Sequence, residues 1–209
     1  MTGKVSAPRI AIVGGGFTGA AVTTHLALRT QAALAVDVIE PRAMLGGGVA
    51  YSSLDPAHRT NVAAARMSLF PDDESHFTRW LTDTRALEDD PDAVLADGRI
   101  YPRRQIFGNY VADQLDRAAR TGRAMVRHLR DRAIKIGTSQ DGWTIGLASG
   151  RTIGADLVVL AVSHPPPQAP ENVYCAIAEH RAFVPNPWAL GALKPIMPMD
   201  TVLIMGTAL

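Results

Sequence analysis

The sequence predicts an α/β fold: a mainly parallel, doubly wound sheet that carries an antiparallel β-meander. Three observations predict it. First, the short apolar run "PRIAIV" meets glycines, then small residues at helical spacing, then a second apolar run, "LAVDVIE". Strand, tight turn, helix and strand make a βαβ unit whose two strands lie parallel with a right-handed crossover. Second, the turn dipeptides Asp141-Gly142 and Ser149-Gly150 divide a later stretch into short strand candidates, as a meander requires. Third, "DLVVLAV", Asp156 to Val162, is continuously apolar, the pattern of a parallel central strand covered on both faces.

Each element follows in order. Pro8 to Val13 is rich in β-branched residues and reads as a buried strand. Ala20, Ala21, Val22, Leu26 and Leu28 recur at helical spacings, which predicts a helix from about Phe17 to Arg29. Leu34 to Glu40 is the second strand. Glycines, prolines and serines dominate from Pro41 to about Glu74, and an irregular connection of that length is expected to be functional. Phe77, Trp80 and Leu81 lie at i, i+3, i+4 and predict a short amphipathic helix. "ALEDDPDAVLADG" is acidic and broken, so it reads as a surface excursion. Ile106, Tyr110, Val111, Leu115 and Ala118 form a stripe from Arg103 to Thr121 that stops at Gly122, a helix with a glycine end. "AMVRHLRDRAIKIG", "GWTIGLAS" and "RTIGA" are read as the three meander strands, about 123–155. "SHPPPQAPENV" breaks the pattern with polyproline, and the rest, to Asp200, is mixed.

The totals exclude several classes. With 209 residues, 47% apolar and 20% charged, the chain reads as a soluble globular protein. A net charge of +1 gives no reason to expect nucleic acid or an anionic membrane as partner. Cys175 is the only cysteine, so neither an intrachain disulfide nor a cysteine-built zinc site is available, and a cytoplasmic setting fits. No signal-peptide h-region and no membrane span is recognisable.

Gly14, Gly16 and Gly19 spell G-x-G-x-x-G between a strand and a helix. Gly14 allows the tight turn, Gly16 lets a pyrophosphate approach the backbone, and Gly19 lets helix and strand pack closely. The helix start offers free N–H groups and a positive dipole end to phosphates. Glu40 lies 21 residues after Gly19, near the ~20 expected for an acid that holds ribose hydroxyls. The pattern reads as a Rossmann-like adenine-dinucleotide site, the plainer alternative being a structural glycine-rich turn with a solvent-facing Glu40. A carboxylate disfavours a ribose 2′-phosphate, although Arg42 could oppose that inference.

The downstream residues add a resemblance. "GGGFTG", then "EPRAMLGGGVAY", Asn61-Val62, Pro71-Asp72-Asp73 with Phe77 and Trp80-Leu81, Arg104 to Tyr110, and "NPWALGAL" resemble the bacterial FAD/NAD(P)-binding flavoproteins with a glutathione-reductase-type FAD domain, related to flavin-dependent monooxygenases. "DLVVLAVSH" resembles their second motif, with Ser163 in place of its glycine. The resemblance implies FAD as cofactor and NAD(P)H in the full-length protein. It implies that the cofactor is bound by Gly14, Gly15, Gly16, Phe17, Thr18, Gly19, Glu40, Pro41, Arg42, Gly47 and Gly48. Asn61 and Met67 would lie near the flavin ring, with a loop cap and core filling as their plainer roles. The backbone of Ala133, at the end of the first meander strand, would meet the adenine.

No side chain is assigned as catalytic. Ser52 and Ser53 have no sequence partner suggesting a nucleophile, and the six histidines show no metal-ligand spacing, so no metal site is expected. Asp72-Asp73 and the acids from Glu88 to Asp92 read as solvated charges. In a flavoenzyme the cofactor carries the chemistry. "VLIMGTAL" can be laid on "IAIVGGGF": Val202 to Met205 read as a strand, Gly206 matches Gly14, Ala208 stands at the second glycine, and Leu209 matches Phe17. Residues 1–200 are therefore expected to form an FAD domain, and 201–209 to begin an incomplete NAD(P) unit. Three functions compete: an NAD(P)H-dependent flavoprotein oxidoreductase of monooxygenase type acting on an unknown small molecule, a non-catalytic FAD/NAD-binding or redox-sensing module, and an NAD-only dehydrogenase.

Overall fold

The computed structural model describes residues 7–163, 168–187, 189 and 191–205. By its contacts the chain divides into two units, Met1–Ser163 and His164–Leu209. In chain order the first unit contains β1 (Arg9–Val13), α1 (Phe17–Arg29), β2 (Leu34–Ile39), α2 (His76–Asp83), α3 (Arg104–Thr121), β3 (Ala124–Leu129), β4 (Ala133–Ser139), β5 (Gly142–Leu147), β6 (Thr152–Ala155) and β7 (Leu157–Leu160). Short 3₁₀ turns occupy Ala64–Arg66 and Pro91–Ala93.

A parallel sheet in the order β3-β2-β1-β7 carries the antiparallel meander β4-β5-β6 on one face and helices on the other. Strand periodicity explains the layers, because successive side chains point to opposite faces. Ala11, Val13, Ile39 and Leu129 pack on Ile145, Leu147 and Ala155 of the meander. Ile12, Val36 and Val38 pack on Ala27 of α1 and Ala118 of α3. The buried face of α1 is Gly19, Ala20, Thr23, Thr24 and Ala27. The hydroxyls of Thr23 and Thr24 donate to the carbonyls of Gly19 and Ala20 at 2.7 and 2.8 Å, so burying them leaves no unmet donor. A third cluster, centred on Phe77, Phe107 and Tyr110, fills the space under the long 41–74 connection.

Several expectations are corrected. The segment read as the first meander strand is two strands. Its first half, β3, is the outer strand of the parallel sheet, in register with β2 from Leu34↔Ala124 to Ile39↔Leu129. An edge strand is only half covered, so β3 alternates in burial as a meander strand would. The break after it has no turn glycine: Asp131 makes it by accepting from the N–H groups of Arg132 and Ser149. Ala133 therefore opens β4 rather than closing a strand. β7 is parallel to β1, as expected, but lies at the sheet's edge, with Leu160 63% exposed. The acidic excursion is not wholly solvated. Asp90 is buried against Arg59, and Ala93 is buried as well. Asp37, inside an apolar run, is 2% exposed and takes a two-pronged contact from Arg127, its register partner on β3, at 2.8 Å to each oxygen.

The second unit contains α4 (Glu171–Ile177) and a series of turns. Residues 201–205 form no strand and are exposed, since a strand exists only where a neighbour accepts its backbone groups. The expected fingerprint residues Gly206, Ala208 and Leu209, the three prolines, His164 and the tryptophan of the Asn-Pro-Trp step lie outside the described residues.

Candidate functional site

The site is assembled where β1 and β2 end. Gly14 donates its N–H to the Ile39 carbonyl at 2.9 Å, which ties the two strand ends together. Its φ of +100° and the 2.4 Å that would separate an added Cβ from the Ala161 oxygen both require glycine. At Gly19 an added Cβ would lie 1.9 Å from the Gly14 oxygen, so the helix sits directly on the turn. Gly16 is the N-cap of α1, with no side-chain cap and no acid in the first turn. The first-turn N–H groups of Phe17, Thr18 and Gly19 have no intrahelical acceptors, an arrangement that suits an anion.

The connection after β2 closes over this turn. The Gly46 N–H donates to the Gly15 oxygen at 2.8 Å, and the backbones of Gly16 and Gly48 face each other, with an added Cβ on Gly48 only 2.9 Å from Gly16 Cα. Gly47 accepts from the Tyr51 N–H at 2.9 Å. Gly108, on α3, lets this loop dock: a Cβ there would lie 2.5 Å from the Tyr51 oxygen. In the sequence only the "R-x-x-x-G-x-Y" spacing from Arg104 to Tyr110 marks Gly108. Phe17, at the start of α1, sits edge-on to Tyr51 at 6.1 Å and against Phe107 at 5.7 Å.

Glu40, at the end of β2, is 4% exposed rather than solvent-facing. Its Oε2 accepts from the Gly15 N–H at 3.0 Å, and its Oε1 accepts from the Arg42 N–H at 3.0 Å and from Arg42 Nη1 at 3.1 Å. Its backbone is held from β3: the Glu40 N–H donates to the Leu129 carbonyl at 3.1 Å, and His128 Nε2 donates to the Glu40 carbonyl at 2.9 Å. Periodicity did not reveal this role of His128, because it depends on β3 lying beside β2. Pro41 is exposed at the rim. The structure thus brings Gly14 to Gly19, Glu40 to Arg42 and Gly47-Gly48 together at the carboxyl ends of parallel strands, where ligands of such sheets bind. No hydrogen bond among the described residues ties Asn61 or Ala133 to that cluster.

Asn61 is exposed on a separately anchored segment. Arg59 grips Asp90 through Nη1 at 3.1 Å and Nη2 at 2.8 Å, and the Arg103 N–H adds a donor at 3.2 Å. Burial pushes the Asp90 carboxyl up, but the bonds from Arg59 and Arg103 and their charges together hold it below its ordinary value. Next to Asn61, Thr60 Oγ1 is buried with no hydrogen-bond partner. Met67 packs on the aromatic cluster, its plainer role. Ser53 bonds His58 Nδ1 at 2.6 Å and accepts from the Asp55 N–H, a loop clip that the sequence reading did not pair. His25 meets the Leu69 carbonyl, and His76 meets the Tyr110 hydroxyl at 2.9 Å. Among the described residues, no group of three or more metal-binding side chains occurs, and no helix is long and apolar enough to cross a membrane.

The arrangement fits a dinucleotide. Open N–H donors suit a pyrophosphate, bare glycine backbones permit close approach, and a buried carboxylate suits a diol. A family model described as FAD-NAD(P)-binding matches residues 11–165. No curated protein matches the sequence. Among solved structures, an ornithine N-hydroxylase from Kutzneria sp. 744, determined with reduced FAD, NADP+ and L-ornithine, is similar at 18% identity and a TM-score of 0.55, covering 78% of this chain and 39% of its own. A flavin-containing monooxygenase from Stenotrophomonas maltophilia is similar at 15% identity and a TM-score of 0.47, covering 79% of this chain and 43% of its own. A peptidyl tryptophan dihydroxylase is similar at 21% identity and a TM-score of 0.41, covering 79% and 34%. This chain spans less than half of the length of these structures. At 18% identity the likeness to the ornithine N-hydroxylase is one of fold.

Proposed function

The chain belongs to this family of FAD-NAD(P)-binding proteins, and from that premise we propose that it is the FAD-holding portion of an NAD(P)H-dependent flavoprotein oxidoreductase of monooxygenase type. The observation that carries the reading is the open first turn of α1 beside the buried carboxylate of Glu40. In this reading the Phe17, Thr18 and Gly19 N–H groups hold the pyrophosphate. Glu40 holds the adenosine ribose, Pro41 and Arg42 border it, and Gly47-Gly48 let the cofactor lie against backbone. Asn61 and the start of β4 at Ala133 take the flavin and adenine ends.

Bound FAD would supply the hydride and oxygen chemistry. The protein's part is to hold, orient and shield it. Residues 201–209 are proposed to open the NAD(P) unit, the substrate is a small molecule, and the setting is the cytoplasm. A module that holds FAD without turnover is the second reading.

The test is a visible spectrum of the purified chain after addition of FAD and gel filtration. Retained flavin bands at one per chain are expected. A colourless protein that binds NAD but not FAD would overturn the reading. Anaerobic bleaching by NADH or NADPH then separates a reductase from a silent holder.

A further inference from the structure

The donors already on Glu40 leave too little room for a ribose. A carboxylate offers about four lone-pair positions, two on each oxygen. Oε2 has one donor, the Gly15 N–H, and one position open. Oε1 has two, the Arg42 N–H and the Arg42 guanidinium, so both of its positions are taken. A ribose presents two vicinal hydroxyls, and a carboxylate that receives both needs one free position on each oxygen. One donor on Oε1 must therefore leave.

The two candidates are unequal. The Arg42 N–H belongs to the turn directly after β2, whose start is pinned by Glu40 N–H to Leu129 and by His128 to the Glu40 carbonyl. The Arg42 guanidinium hangs on a flexible stem, with its side chain 45% exposed. Only the guanidinium end of the pair is open to solvent, so it can swing into water while the buried carboxylate keeps its two backbone donors.

We propose that Arg42 is an exchangeable guard on Glu40: its guanidinium fills the acceptor that the second ribose hydroxyl needs, and a dinucleotide with an intact adenosine diol binds by displacing it. The inference rests on the assignment of Glu40 to the ribose. Arg42 is thereby a specificity-determining residue. It penalises a ligand that demands both oxygens and is indifferent to one that needs only the open position on Oε2. The backbone N–H of residue 42 survives any side-chain substitution, so Glu40 keeps two of its three donors in a variant.

The test compares the affinity of the whole chain for FAD and for its 2′-deoxyadenosine analogue, in the wild type, Arg42→Ala and Arg42→Gln. Thermal unfolding of each variant checks that the fold is intact. Arg42→Ala is expected to bind FAD about three- to five-fold more tightly, because the second hydroxyl no longer has to displace a half-exposed guanidinium. Its affinity for the deoxy analogue, whose single hydroxyl fits Oε2, is expected to stay within about two-fold, and Arg42→Gln should fall between wild type and Arg42→Ala. Equal weakening toward both ligands would show Arg42 binding the cofactor instead, and equal change or no change would show no exchange at Oε1. Either outcome overturns the guard while leaving the FAD site standing. A wild type that binds neither ligand overturns the assignment of the site itself.

Discussion

Gly19 and His76 show how much one residue can decide. At Gly19 the space for a methyl group is already filled by the Gly14 carbonyl oxygen, 1.9 Å from where a Cβ would stand. Gly19→Ala must therefore push α1 away from the β1 turn, and is expected to cost about 3 kcal/mol, read as a lower urea midpoint with an unchanged slope. His76 is the first residue of α2 and bonds Tyr110, which also accepts from the Leu69 N–H at 3.2 Å. Burial lowers the His76 pKa, and the charges of Arg79 and Arg117 lower it further against the opposing pull of Asp73. The folded state then binds fewer protons than the unfolded one, so stability is full above the unfolded value of about 6.5 and is lost as pH falls toward the folded value. Unfolding midpoints measured from pH 8 to 5 should decline in this window for the wild type and stay flatter for His76→Gln. Asp73 and Asp90, whose pKa values are held low, lose their contributions only at more acid pH.

At the scale of elements, the acidic excursion serves as a strut for the Asn61 segment. Asp90 joins the excursion to Arg59, Arg59 also donates to the Tyr101 carbonyl at 2.9 Å, and the Thr60 N–H donates to Pro102 at 3.0 Å. Asp90→Asn keeps the volume and removes the charge. It leaves the Arg59 guanidinium without its counter-ion, and since that side chain is 28% exposed the expected loss is about 2–3 kcal/mol. Calorimetry should show it as a lowered melting temperature. Asp92→Asn, two residues away and exposed, should change little. The elements most legible in the sequence were α1, bounded at Phe17 and Arg29 as read, and α3, which begins one residue after the predicted start. Both have a clear 3.6-residue apolar stripe and a defined end. β3 was misassigned because an outer parallel strand and a meander strand alternate alike, and only its partner distinguishes them.

At the scale of the whole molecule, the two units differ in what holds them. The first has three apolar clusters. No described residue of the second is buried, and α4 has no buried residue. Limited trypsin digestion should therefore cut first after Arg181, the one cleavable site in the second unit because Lys194 precedes a proline, and leave a protected fragment ending there, identified by mass spectrometry. Early cleavage at Arg104 or Arg117, both on α3, would contradict this. The sequence by itself determined the βαβ unit, the glycine turn and the acid 21 residues beyond it, because those depend on local spacing and on backbone freedom that only glycine has. Only the tertiary structure decided that β3 joins the parallel sheet, that Asp37 and Asp90 are buried with arginines distant in sequence, that Gly108 admits the loop after β2, and that Arg42 sits on Glu40. Each of these depends on which surfaces meet, and periodicity carries the face a residue turns but not the partner that covers it.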